Sequence, residues 1–157
     1  MVATVALASC APGALVSPPE GAPLLFEVAA EGVQIYTCRG TEGSAWYFKA
    51  PEANLFDNQG RQIGIHFAGP TWKMYDGSAV IGEVIGGPYV PRADAIPWLL
   101  LRVKSHEGNG SLTAVDSIRR TETKGGVAPS SGCDVAHWNT EVRIRYSAVY
   151  QFYGVAK

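Results

Sequence analysis

No stretch of this sequence stays apolar for the roughly 18 residues that a membrane-spanning helix needs, so the chain as given holds no transmembrane helix. Charge is scarce as well. Asp, Glu, Lys and Arg make up only 17% of the residues, and 13 basic side chains against 14 acidic ones leave a net charge of -1. Such a balance offers no broad electrostatic footprint for DNA, RNA or an anionic membrane, and nucleic-acid partners are set aside. The common chemical motifs are missing too. GxGxxG and GxxxxGK are absent, which removes the dinucleotide and P-loop readings, and so are GxSxG, HExxH and CxxC. The histidines His66, His106 and His137 lie far apart with no pair at ligand spacing, so neither a metal site nor any cofactor is expected. Cysteine is limited to Cys10, Cys38 and Cys133, an odd count that rules out a fully paired disulfide scaffold.

What is abundant points to a loop-rich β protein. Gly reaches 18 residues and Pro 10, while the apolar fraction of 46% is that of an ordinary globular chain with a core. The length suits one domain. Residues 1–22 read as a Pro/Gly-rich lead-in whose start, MVATVALASC, has the apolar and small-residue character of a targeting-segment remnant but lacks a basic n-region. The β domain is placed at 23–157. LLFEVAA and VQIYTC read as two strands with a turn at AEG, and Ala45–Lys49 and Ala53–Phe56 as two more around a Pro51 corner. DNQG at 57–60 and DGS at 76–78 are turn signals, because Asn, Asp and Gly tolerate left-handed backbone or bond to it. RQIGIHF alternates, with Ile63, Ile65 and Phe67 on one face and Gly64 and His66 on the other. Trp98–Val103 is the most apolar run and reads as a core strand. LTAVDSIRRTET puts Arg119 and Arg120 on opposite faces, and EVRIRYSAVYQFYGV alternates almost without a break. The sum is an all-β single-domain sandwich or barrel of about eight to ten short strands, joined by Gly/Pro turns.

GVQIYTC at 32–38, Trp46–Asp57, His66–Val84, IPWLLL at 96–101, Ile118–Pro129, GCD at 132–134 and Tyr146–Tyr153 together resemble the DUF3455 family, a domain of unknown function found mostly in predicted secreted proteins of bacteria and fungi. The likeness covers the chain from about Pro23 onward. From the residues alone, Cys38 and Cys133 could pair, stay free or ligate a metal. The family pattern has cysteines at both positions, and the resemblance therefore implies a Cys38–Cys133 disulfide and a secreted or periplasmic location.

Candidate chemistry centres on Gln62–Val84. His66, at a strand end beside a Gly-Pro corner, and Asp76 form the candidate catalytic pair, His66 through its near-neutral pKa and Asp76 as its orienting partner. The competing reading makes His66 a half-buried strand residue and Asp76 a turn cap. Trp72, Tyr75 and Lys73, with His137 and Trp138 in the long loop, form a candidate ligand surface, since indole beside a polar neighbour suits sugars or flat organic molecules. Trp98 and Trp46 read as core. Glu52 with Asp76 would be a carboxylate pair for glycoside hydrolysis only at a fixed separation. Arg119, Arg120, Arg143 and Arg145 form a modest basic element, with carboxylate binding as one role. Three functions follow: a secreted binding domain for a small organic molecule or glycan; a cofactor-independent enzyme of cyclase, isomerase or hydrolase type using His66 and Asp76; and a structural or interaction protein that assembles as a homo-oligomer through an edge strand.

Overall fold

The computed structural model describes residues 15–40 and 43–157. Cys10 and the start of the targeting-segment reading lie outside the described residues. Eight strands form one closed antiparallel barrel in sequence order: β1 (Leu24–Arg39), β2 (Ala45–Phe56), β3 (Gln62–Phe67), β4 (Thr71–Met74), β5 (Ala79–Tyr89), β6 (Trp98–Glu107), β7 (Ser117–Gly125) and β8 (Glu141–Tyr153), with β8 returning to pair with β1. Each strand is joined to the next, so successive connections alternate between the two ends of the barrel.

Two expected turns are not turns. β1 runs straight through Ala30–Gly32, and β2 runs straight through Pro51. A Cβ on Gly32 would lie 2.1 Å from the carbonyl oxygen of Glu52, so glycine here lets two backbones pass closely rather than bending the chain. Pro51 is tolerated because β2 pairs with β3 only from Ala53 onward, leaving the first half of β2 with a neighbour on the β1 side alone. A proline with no N–H costs a ladder bond only where a partner is waiting for it.

Alternation sorts the interior from the wall. Tyr146, Ala148, Tyr150 and Phe152 of β8 point inward, Leu55 and Trp72 meet them, and Ile118 and Val28 complete the cluster. Burying each large side chain contributes about 1.5–3 kcal/mol. The most apolar run divides: Leu101 is core, but Trp98 lies half-exposed on the outer wall, 5.4 Å beneath the Arg119 guanidinium and edge-on to Tyr89. Trp98 and the half-exposed Trp46 are thus not core residues. The lead-in also takes part. Val16 is fully buried against Gly87, and the Leu15 carbonyl closes over Gly86, which covers Leu100 on the outer wall.

The two barrel ends differ. One is plugged by Leu112 and Val115 from the connection between β6 and β7, both essentially inaccessible. The other carries the long loop from Gly126 to Thr140, tied to β1 by the Cys38–Cys133 disulfide, which spans 95 residues of chain. Among the described residues no helix is long and apolar enough to cross a membrane.

Candidate functional site

The short hairpin β3–β4 delivers His66 and Trp72 side by side into the barrel. They are cross-strand partners, and their rings stack with centroids 4.4 Å apart. β4 is only four residues long, but its alternation turns Trp72 and Met74 inward and Lys73 outward. Trp72 needs room, and Gly82 on the neighbouring strand supplies it: a Cβ there would sit 2.9 Å from the indole. Tyr150 from β8 closes the cluster, 5.0 Å from the His66 ring and edge-on to Trp72 at 5.4 Å.

Above this floor, at the disulfide end, the barrel is not filled. A cavity of about 260 Å3 opens between the half of β2 that lacks a β3 partner, at Phe48–Pro51, and the β3–β4 turn, at Ala68–Pro70. Leu99 and Leu101 form its apolar wall, Val84 its rim, and Arg120 of β7 reaches in beside Tyr150. At about 30 Å3 per liquid water, the space holds roughly eight waters, or a compact organic molecule of similar volume. It sits near the lower edge of ligand-cavity sizes and has their usual make-up, mostly apolar with a few convergent polar groups.

Those polar groups are unusual. His66 Nδ1 lies 2.8 Å from the Thr71 carbonyl oxygen, which only accepts, so Nδ1 carries the proton and Nε2 presents a lone pair. Complete burial lowers the His66 pKa to about 3, the bond to Thr71 opposes this, and the Arg120 charge adds to it. The ring is therefore neutral at every physiological pH, an acceptor rather than a proton shuttle. The Trp72 indole N–H is buried and has no partner. Burial raises the pKa of Tyr150 despite Arg120, and that of Tyr146 behind it, so both phenols stay protonated. Their hydroxyls are 3.3 Å apart.

Of the expected catalytic pair, only His66 is here. Asp76 lies in the connection between β4 and β5, at the opposite barrel end from the β3–β4 turn that His66 adjoins. Its carboxylate accepts from Ser78 N at 2.9 Å, Ser78 Oγ at 2.6 Å and Ser111 N at 2.7 Å. Desolvation pushes its pKa up, but these donors outweigh it and hold the group well below the usual carboxylate range. Asp76 thus joins two turns at the plugged end, and nothing brings it to His66. Glu52, the other carboxylate considered, is ion-paired with Arg143 on the outer wall.

The expected ligand surface also divides. Trp72 is inside, while Lys73 and Tyr75 are exposed on the wall, Tyr75 accepting from Gln62 Nε2. His137 bonds Asp134 at 2.6 Å in a short 3-10 turn at Val135–His137, and the Trp138 indole donates to Ser44 Oγ at 2.8 Å. Only Trp72 of these five lines the cavity. Sequence reasoning passed over Tyr150 as a site residue, and named Arg120 only within a basic element with Arg119, Arg143 and Arg145 for which carboxylate binding was one role. The available signal was the alternation of β7, which sends Arg119 outward and Arg120 inward. Among the described residues no three His, Cys, Asp or Glu side chains gather as a metal set would.

The model of a protein of unknown function, DUF3455, matches residues 18–154. The chain belongs to the DUF3455 family. That match takes in every strand of the barrel, the cavity and both bridged cysteines. No curated protein and no solved structure shows significant similarity to this DUF3455 member.

Proposed function

We propose that the protein is a secreted or periplasmic binding domain for a small organic molecule, held in the cavity at the disulfide end of the barrel. The observation that carries this reading is a mostly apolar cavity whose lining brings together His66, Trp72, Tyr150 and the donors of Arg120. His66 Nε2 offers the complementary acceptor. Location in an oxidising compartment is supported by the disulfide, since cytosolic thiols are kept reduced. The remoteness of Asp76 gives no ground for advancing a catalytic reading of His66, and the outer-wall placement of Lys73, Tyr75 and His137 favours the cavity over a glycan surface.

The test is native mass spectrometry of wild type and Ala68→Trp, after incubation with a mixture of small neutral and acidic organic molecules. Ala68 is exposed at the mouth, so the new indole blocks entry without disturbing the core. Wild type should carry an adduct that denaturation releases and that Ala68→Trp lacks. Equal adducts on both proteins, or none on either, would overturn the reading.

A further inference from the structure

Arg120 is the feature that the cavity does not need merely to be apolar. It enters the barrel from β7, opposite Tyr150 in the β7–β8 register, and is half-buried. Its Nε and Nη2 both donate to one acceptor, the Pro97 carbonyl, at 2.9 and 2.8 Å. That leaves three of the five guanidinium hydrogens, of which one is directed at the Tyr150 hydroxyl and two remain for other partners. No carboxylate takes them: the ion pairs among the described residues involve Lys49, Arg61, Arg92, Arg102, His137 and Arg143, never Arg120. The groups that feel its charge are His66, Tyr36, Tyr146 and Tyr150, none of them an acid that ionises near neutral pH. The cavity lining as a whole contains Arg120 and Lys49 but no Asp or Glu, and Lys49, at the mouth, is already engaged by Glu141.

A cation inside a largely apolar barrel is costly unless it is paired, and a guanidinium fork is built to receive two oxygens at once. Resting on the binding reading above, we infer that the ligand is a compact organic anion, an apolar body with one carboxylate that Arg120 receives. The body packs on Leu99, Leu101 and the Trp72 ring, and a hydroxyl on it would meet His66 Nε2. Electrostatics fits the arrangement, since the lining itself holds the Arg120 cation and no acid, while the Lys49 charge at the mouth is offset by Glu141.

The experiment compares cyclohexanecarboxylate with cyclohexylmethanol, a pair of nearly equal size in which only the first is charged at pH 7. Binding is read by calorimetry and by the Trp72 indole resonance, in wild type, Arg120→Gln and Arg120→Lys. The carboxylate should bind wild type at least tenfold more tightly than the alcohol, with a preference that shrinks as salt rises. Arg120→Gln should abolish that preference while leaving the alcohol within about twofold, and Arg120→Lys should retain part of it. Should Arg120→Gln fail to fold, the salt dependence in wild type still decides. Alcohol binding equal to or tighter than carboxylate binding would overturn the anion inference and leave the cavity reading standing. If neither molecule moves the Trp72 resonance, both fall.

Discussion

Replacing His66 by Gln should remove most of the mild-acid sensitivity of this barrel. The folded His66 has a pKa of about 3 and its unfolded counterpart an ordinary value near 6.5. Between these two values the unfolded chain binds a proton that the folded one refuses, so stability falls as pH drops through that window and is intact above it. Integrating the two titrations, the loss attributable to this side chain is about 0.2 kcal/mol at pH 7 and about 2 kcal/mol at pH 5. The comparison stays above the unfolded carboxylate range, and His106 and His137 are common to both proteins and cancel. The groups facing His66 in the barrel are Arg120, Tyr150 and Trp72, and burial keeps the Tyr150 phenol protonated over this range. Chemical denaturation at both pH values should therefore give a wild-type loss of about 2 kcal/mol that His66→Gln does not show, equivalent to roughly 4–8 °C in Tm for a domain of this size. Parallel pH curves for the two proteins would mean that His66 is protonated in the fold. The stacked, neutral-acceptor geometry would then be wrong.

Three further outcomes follow from the wall and the ends of the barrel. Cys133→Ser opens a loop of 95 residues and should cost about 2–5 kcal/mol in urea denaturation, a loss matched by adding reductant to wild type. Gly32→Ala places a Cβ 2.1 Å from the Glu52 carbonyl oxygen, between two paired backbones, and should destabilise by at least about 3 kcal/mol; an unchanged Tm would show that β1 and β2 are further apart than described. Asp76→Ala removes the acceptor for Ser78 and Ser111 and should cost about 1–3 kcal/mol while leaving ligand affinity at the opposite end unchanged, so a loss of binding at constant stability would contradict its separation from His66.

Local chemistry was legible in the sequence, and long-range proximity was not. The unbroken alternation of Glu141–Tyr153 reports its inward face correctly because both neighbours of β8 bury the same side chains. DNQG and DGS turn where Asn, Asp and Gly say they should. Gly32 and Pro51 look like breakers, yet each is explained by a strand far away in sequence, one that comes too close and one that is not there. Trp72 and Trp98 exchange their expected places for a similar reason. A Gly-Pro corner beside Trp72 reads as rim, but the space that admits its ring belongs to Gly82, and the apolar run that makes Trp98 look central is covered from outside by Leu15 and Val16. His66 and Asp76 are near in the chain and at opposite ends of the barrel, because β4 crosses from one end to the other between them. Arg120 was visible as half of an Arg-Arg pair, and only the closed barrel shows that its face is the interior.

The most direct measurement of the central claim is a titration of the four indole N–H resonances, assigned through Trp72→Phe, with cyclohexanecarboxylate. The account predicts that the Trp72 signal shifts saturably, that Trp138 and Trp46 stay still, and that Ala68→Trp abolishes the response. A saturable shift at Trp138 with Trp72 unmoved would contradict it and return the ligand to the outer rim.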